Sequence, residues 1–406
     1  MISYVEARRI VAETASECVR AAPRKRTRAT LEGVLWHVLA EPLFADRDAP
    51  PFDRSTRDGF AVRAADVASI PAMLKLVGEI RAGAAFNGTI GASECVQIMT
   101  GAALPPGADA VVMIEHTEQS AGTVAVQRSV AKGANVVPRG REAKAGAQVL
   151  AAGQRMGHAE ISIAAQFGHT AFSVFQRPRL AILVTGDEVV PAERTPGPFQ
   201  IRDSNRFSLA AQLILTGSSP LWMGQAPDER AALRAKIEEG LKWDALILTG
   251  GVSMGKYDLV EEVLRELGAE FKFDSVAIRP GKPAVFGVCR GKPVLGLPGN
   301  PVSTMVTFEL FGVPLVDVLA GALPRPLALV KARTRHAVNL KAPLTHFLPA
   351  KLSWEVGETH VAELAWQGSG DVAALARADC FLVVPETKLE FAAGDWVDVL
   401  LWRDRV

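Results

Sequence analysis

The chain has 406 residues, of which 49% are hydrophobic and 22% charged, with a formal net charge of +1. That length exceeds one ordinary core and predicts two to four domains, while the even charge balance excludes a nucleic-acid binder that works by bulk electrostatics. The four cysteines, Cys18, Cys95, Cys289 and Cys380, match no metal-ligand spacing, and the seven histidines form no helical His-x-x-x-His pair.

The start, "MISYVEARRIV", lacks the pattern of a signal peptide, and no run of about 20 apolar residues suggests a membrane span. The expectation is a cytoplasmic protein with reduced thiols, without a membrane or a nucleic-acid partner. "SYVEARRIVAETASECV" has the spacing of an amphipathic helix. "RAAPRKRTRA" follows, with Arg20, Arg24, Lys25, Arg26 and Arg28; it reads as a solvated linker or, alternatively, as a contact for an anionic partner. Residues 31–62 mix a short strand-helix pattern with the Pro-rich connection "APPFDRSTRDGFAV". From Lys75 to Arg139 the chain changes to short β-runs broken by Gly and Pro: "LKLVGEI", "CVQIMTG", "DAVVMIEH" and "TVAVQRSV". "GHAEISIAAQFGH" returns to helix.

From Leu180 strands and helices alternate. "LAILVTG", "LWMGQ" and "DALILTGG" read as strands, and "SNRFSLAAQLILTG", "DERAALRAKIEEGLK" and "DLVEEVLRELG" as helices. Such alternation predicts an open parallel sheet with helices on both faces. "NPVSTMVTFELFGVPLVDVLAG" is a last helix, which Pro314 should kink or end. "KARTRHAVNL", "HFLPAKLSW", "THVAELAW", "CFLVVPE" and "DWVDVLLW" then predict a small all-β C-terminal domain.

Ligands of open parallel sheets sit beyond the carboxyl ends of the strands. Here those ends deliver Asp187 and Glu188 in "ILVTGDE", Gly250, Gly251, Ser253 and Asp258 in "ILTGGVSMGKYD", and Gly299, Asn300 and Ser303 in "LGLPGNPVS". "AIRPGKPAVFG" adds Arg279 and Lys282. Glycines let a ligand approach the backbone, whose N–H groups can cradle an oxyanion. Asp187, Glu188, Asp228 and Asp258 would repel a phosphate unless a divalent cation stood between them, and oxygen ligands suit Mg²⁺. A plainer reading stays open. Asp228 and Asp258 both stand at helix starts, where capping alone explains an acid, and Gly-Gly pairs are common in tight turns.

Together, "TGGVSMGKYD", "AIRPGKP" and "GLPGNPVS" resemble the molybdopterin molybdenumtransferase family, known as MoeA and, in animals, the gephyrin E domain. "PPFDRSTRDGFAVRAAD", "QIMTGAALPPGADAVVMIEH", "VPRGREAKAG", "VTGDEV" and "QGSGDVAALARADCFLVVP" match the family's other segments in order, so the resemblance spans essentially the whole chain. It implies a multidomain α/β fold: a three-layer αβα domain with a parallel-type sheet (177–325), a β-rich inserted domain (53–139), a discontinuous linking domain (1–52 and 140–176) and a small C-terminal β-barrel-like domain (326–406). It implies a homodimer that takes adenylylated molybdopterin and molybdate, with Mg²⁺ as cofactor and AMP released. Molybdopterin adenylyltransferase and acceptor molybdoenzymes would be its partners.

Carried onto this chain, the resemblance implies Asp58, Glu142, Asp228 and Asp258 as catalytic acids and Asp187, Glu188, Asp228 and Asp258 as metal ligands. Thr100, Thr185, Gly186, Gly250, Gly251, Ser253, Pro298, Gly299 and Asn300 would hold the phosphorylated substrate. Arg279, Lys282, Pro283, Ser303 and Ser369 would bind molybdate. The chain departs from the family in four places. Arg57 stands where many members have an apolar residue, "RPGKP" replaces "KPGKP", and position 142 is Glu where others have Asp. "APLTHFLPAKL" offers His346 and Lys351 where some members have an arginine. Two alternatives accompany this reading: an adenylyltransferase-like enzyme of the same α/β fold that consumes ATP, and a non-catalytic carrier or scaffold.

Overall fold

The structure, a computed structural model, describes residues 1–251, 259–355 and 357–402. The chain forms two compact units. The first comprises residues 1–40, 153–157 and 171–406, and the second residues 41–152 and 158–170.

The first unit is organised on a six-stranded sheet. In chain order its strands are β1 (Arg179–Thr185), β2 (Ser219–Ala226), β3 (Ala245–Thr249), β4 (Glu270–Phe273), β5 (Val285–Cys289) and β6 (Lys292–Leu297). They lie in the order β2-β1-β3-β6-β5-β4. The pairs β2/β1, β1/β3 and β3/β6 are parallel, whereas β5 is antiparallel to both neighbours. The sheet is therefore mixed rather than wholly parallel. The reversal is local: Arg290 (φ 50°) and Gly291 (φ 75°) make the two left-handed positions of a tight hairpin between β5 and β6.

Side chains alternate through this sheet, and the alternation builds the three layers. Leu180, Ile182, Ala245, Ile247 and Leu295 enter one core, with Leu209 and Leu213 of α2 (Asn205–Leu215) and Ala7, Val11 and Ala15 of α1 (Tyr4–Ala21). Ala181, Leu183, Leu246, Leu248 and Val294 enter the other. There they meet Leu233 and Ile237 of α3 (Arg230–Gly240) and Val260, Val263 and Leu264 of α4 (Leu259–Glu266). Burial on both faces explains why these strands read as unbroken apolar runs; each fully buried Leu or Ile contributes roughly 1.5–3 kcal/mol.

The last long helix continues through Pro314. It runs as α5 (Pro301–Thr307), a π-helical turn (Phe308–Gly312) and α6 (Val313–Ala320). Proline has no N–H to give to the carbonyl four residues back. That carbonyl, Leu310 O, instead accepts from Arg8 Nη1 at 2.7 Å. The widened turn thus absorbs the expected kink. The sequence reading found no span-length apolar run, yet Pro301–Ala320 is 20 residues with mean hydropathy 1.6. Its apolar window is 89% buried inside the protein, as a helix at the centre of a core should be. Asp317 on α6 is fully buried, and is held by Arg155 Nη2 (3.0 Å) and by Arg325 Nη2 (2.6 Å) and backbone N (2.9 Å).

The C-terminal strands close into a barrel. β8 (Thr345–Glu355), β9 (Glu358–Glu363), β7 (Leu329–Thr334), β11 (Trp396–Leu401) and β10 (Cys380–Val384) pair in that order, and β10 returns to β8. The short strand Ile278–Arg279 adds in parallel to the edge of β8.

The second unit holds another six-stranded sheet, in the order 110–113, 59–62, 94–98, 72–80, 123–126, 117–120. Two expectations change here and just outside it. "GFAV" is not part of a connection but a wholly buried strand, Gly59–Val62, near the middle of that sheet. Among the described residues from 31 to 62 there is no helix, because Pro42, Pro50 and Pro51 interrupt every helical window. In the first unit the expected linker is partly a strand: Arg26–Thr30 pairs antiparallel with Ala171–Phe175. The cysteines are free, with Cys95, Cys289 and Cys380 buried and Cys18 half-buried.

Candidate active site

Within the first unit, the strand order changes direction at β1. Its chain successor β2 lies on one side and β3 on the other, so the loops after β1 and β3 diverge and leave a crevice at their carboxyl ends. A cavity of about 240 Å³ occupies this place. Thr185 ends β1, Thr249 ends β3, and Pro298 to Asn300 leave β6, so three strand ends contribute to one wall.

Glycine is needed at this wall for reasons of contact. Gly250 (φ 87°) and Gly251 (φ 59°) lie in the left-handed region. A Cβ on Gly250 would come within 2.5 Å of Thr185 O, and one on Gly251 within 2.9 Å of Thr185 Oγ1. Gly299 packs against Gly250 at a distance where a Cβ would meet Gly250 Cα at 3.4 Å. Gly250 N donates to Leu297 O at 3.3 Å, joining the two loops.

Behind the glycines lies a polar layer. Asn205, the first residue of α2, is buried; its Nδ2 donates to Gly299 O (2.7 Å) and to Thr249 Oγ1 (2.9 Å). Its Oδ1 and the hydroxyl of Thr185 are buried without partners among the described residues. Buried polar atoms are normally satisfied, so two orphans at one mouth mark where a ligand would complete the bonding. Asp203 also lines the cavity, accepting from Arg206 N at 3.0 Å, and burial raises its carboxyl above the usual range. The sequence reading missed Asn205 and Asp203. The signal was "DSN" at a helix start, which looks like ordinary capping.

The acids gather beside this wall. Gln225 on β2 clamps the loop after β1, with Nε2 donating to Gly186 O (2.7 Å) and Val189 O (2.6 Å). Asp187 Oδ1 accepts from Asp228 N at 3.1 Å, and Glu188 lines the cavity. The Asp228 carboxyl is held above the usual carboxylate range, first by loss of solvent and then by the charges of Asp187 and Glu188. Among the described residues no three acids, histidines or cysteines form a closed metal-binding group. The donor set is nonetheless all carboxylate oxygen, which fits Mg²⁺, an ion that keeps several waters and takes one or two carboxylates.

The remaining candidates are spread over other elements. Asn300 Nδ2 donates to Ser369 Oγ at 2.9 Å, and Val302 N to Ser369 O at 3.0 Å, so Ser369 meets the start of α5. Ser303 is buried in the first turn of α5. Arg279 and Lys282 are exposed on a turn closed by Val276 N donating to Lys282 O (2.9 Å), which also carries Pro283. Gly281 (φ 110°) packs that turn on Thr307 of α5. Neither cation lines the cavity.

His346 stands opposite Arg279 in the strand pairing and is buried, with Nε2 against Ala342 O at 3.0 Å. Burial first, and Arg279 with it, hold His346 below its usual range, so it is a neutral imidazole rather than a substitute for an arginine charge. In the second unit, Asp58 Oδ1 accepts from Thr100 N at 2.6 Å, and this bond lowers the Asp58 carboxyl. In the same unit Glu142 pairs with Arg54 at 2.6 Å and lines a cavity of about 260 Å³. Ser253 and Asp258 lie outside the described residues.

With this geometry in hand, comparison with known proteins gives a consistent result. Residues 2–168 match the profile of the MoeA N-terminal region (domain I and II), residues 181–318 that of a "Probable molybdopterin binding domain", and residues 331–402 that of the MoeA C-terminal region (domain IV). The molybdopterin molybdenumtransferase of Bacillus subtilis (strain 168) is 34% identical over 384 residues, 92% of this chain and 89% of that protein. The enzyme of the same name from Staphylococcus aureus (strain Mu50) is 34% identical over 376 residues, 91% of this chain and 90% of that protein. A solved molybdopterin biosynthesis MoeA protein from Pyrococcus horikosii is 33% identical with a TM-score of 0.68, covering 96% of this chain and 98% of that one.

Proposed function

Because this chain belongs to the molybdopterin molybdenumtransferase family, we propose that it is the transferase of molybdenum cofactor biosynthesis that places molybdate on the dithiolene of adenylylated molybdopterin as AMP leaves. The observation that carries this reading is the cavity at the β1/β3 crevice. It joins a glycine wall to two buried orphans, Thr185 Oγ1 and Asn205 Oδ1, beside a group of acids.

The Thr185 hydroxyl can donate to a phosphate oxygen, and Asn205 Oδ1 can accept from a hydroxyl or amino group of the nucleotide. The Gly250–Gly251 backbone lets the phosphoanhydride approach closely. Asp187, Glu188 and Asp228 would hold Mg²⁺, which supplies neutralisation of charge on the phosphates. Arg279 and Lys282 attract molybdate, with Ser303 and Ser369 as hydroxyl partners. A molybdate or water oxygen forms a new bond to phosphorus, the bridging P–O bond breaks, and AMP departs. Positioning and fixed charge supply most of the acceleration.

The reading extends to a cytoplasmic homodimer with the four-part domain organisation set out above, fed by a molybdopterin adenylyltransferase and serving acceptor molybdoenzymes. The test is a substrate choice. Purified protein should convert adenylylated molybdopterin plus molybdate, and should leave ATP untouched when given unloaded molybdopterin. Consumption of ATP with unloaded molybdopterin would replace this reading with the adenylyltransferase-like one.

A further inference from the structure

The same sheet carries a second charged cavity at its opposite end, and nothing in the proposed reaction uses it. It measures about 230 Å³ and lies where β1 and β6 begin and just before β3. Arg179 opens β1, Lys292 opens β6, and Lys242 and Asp244 precede β3. Parallel strands of this length separate their two ends by roughly 20 Å, so this cavity is remote from the glycine wall.

Six basic side chains line it: Arg24, Lys25, Arg177, Arg179, Lys242 and Lys292. The lining contains one acid, Asp244, whose Oδ2 is already engaged by Arg179 N at 2.7 Å. Such a concentration is not a general property of this surface, since the chain has 45 basic and 44 acidic residues.

Several of these cations are placed by contacts that leave their charge unneutralised. Arg24 donates to Val318 O at 2.8 Å, a carbonyl in the last turn of α6, and stacks on Phe175. Arg179 lies over the Trp243 ring at 4.5 Å. Arg177 donates to Leu35 O at 2.7 Å. The Nε atoms of Arg177 and Arg179 are buried without partners among the described residues. Buried guanidinium N–H groups without acceptors, inside a concave basic surface, are the complement of an oxyanion. The basic stretch after α1, legible in the sequence as a possible anion contact, supplies two of the six charges.

We infer that this cavity at the amino-terminal edge of the central sheet is a second ligand site, for a small anion bearing two or more phosphate charges. Its volume admits a pyrophosphate-sized group or the phosphate end of a mononucleotide, and is too small for a nucleic-acid segment. The site binds through arginine forks and lysine point charges, so its affinity falls as salt rises.

The experiment uses the full chain, with inorganic pyrophosphate and AMP as probes at up to about millimolar concentration. Binding is followed by titration calorimetry, and its location by hydrogen exchange of peptides covering 17–25, 242–244 and 290–293. Wild-type protein should bind pyrophosphate and gain protection in those peptides. Lys242→Ala/Lys292→Ala should weaken this binding by about tenfold or more, through loss of two charge-assisted contacts. The conservative pair Lys242→Arg/Lys292→Arg should retain it, and Arg279→Ala/Lys282→Ala, at the other end of the sheet, should leave it unchanged. Tighter binding of AMP than of pyrophosphate would identify a nucleotide as the natural occupant, and the reverse order an inorganic polyphosphate. No binding heat with wild type, unchanged affinity in the double alanine variant, or protection confined to residues 185–188 and 250–251 would overturn the proposal. None of these results alters the AMP-release test of the proposed transferase activity.

Discussion

Replacing Gly250 by alanine probes the glycine wall with a single methyl group. The backbone there has φ 87°, a left-handed conformation that costs a side-chain-bearing residue about 1–2 kcal/mol. The added Cβ would lie 2.5 Å from Thr185 O, whereas ordinary contact begins near 3.4 Å. Something must therefore yield by about 0.9 Å, and a close-packed interior does not absorb that without cost. Thr185 is the last residue of β1, and the neighbouring Val184 is paired with Thr249 in the parallel ladder. The strand is the stiffer partner, so the Gly250 loop is the element that moves. A displacement of that size at a positioning surface corresponds to roughly 100-fold in rate. The strain should also cost about 2–3 kcal/mol of stability. The assay is kcat/KM for AMP release from adenylylated molybdopterin, alongside a thermal melt that shows the fraction folded. Gly33→Ala is the control, since Gly33 is not left-handed and its nearest neighbour would be Thr30 Oγ1 at 3.4 Å. A folded Gly250→Ala protein within threefold of wild-type activity would refute the role of this wall.

Three further outcomes follow from the electrostatics and packing. Asp228 is an acid with a raised folded pKa, so its ionised form weakens the fold above that pKa, and the penalty disappears as pH falls below its unperturbed 3.8. Asp228→Asn should accordingly raise Tm slightly in metal-free buffer at neutral pH, by less than about 1 kcal/mol, and should shrink the Tm increase produced by Mg²⁺; a lowered Tm without metal would contradict this. Asp58 has the opposite sign: the Thr100 N–H stabilises its charged form, so its stabilising contribution is present above 3.8 and is lost as pH falls through the lowered folded pKa. A carboxyl-carbon NMR titration should place Asp58 below 3.8, and Asp58→Asn should flatten the acid limb of the stability curve; a midpoint at or above 3.8 would count against the bond. Asp317→Ala should cost about 3–5 kcal/mol by chemical denaturation, because it strands Arg155 and Arg325 beside a buried helix; a loss below about 1 kcal/mol would show that the pairing contributes little.

What the sequence disclosed, and what it concealed, follows from how local each signal is. The αβα layers were legible because "LAILVTG" and "DALILTGG" are apolar at every position, which only a strand covered on both faces requires. The acids at the strand ends were legible for a related reason: a strand end fixes where its next residues emerge. Asn205 was hidden because its contacts with Gly299 and Thr249 span 94 and 44 residues of sequence, and a helix-start Asn has a sufficient local explanation. "GFAV" was hidden by its Pro-rich flank, although its partners at 94–98 and 110–113 bury every residue of it. Pro314 was read correctly as a break in hydrogen bonding, but the relief came from Arg8, more than 300 residues away. His346 occupies the place of a charge in some relatives, and only its burial shows that it does not carry one.

The central claim is that this chain couples release of AMP to acceptance of molybdate. Mass spectrometry of the products formed from adenylylated molybdopterin, with and without molybdate, tests it most directly. The account predicts one AMP for each molybdenum bound, with Mg²⁺ present, and little AMP when molybdate is withheld. Equal AMP release with and without molybdate, or tight binding of the substrate with no AMP released at all, would contradict it.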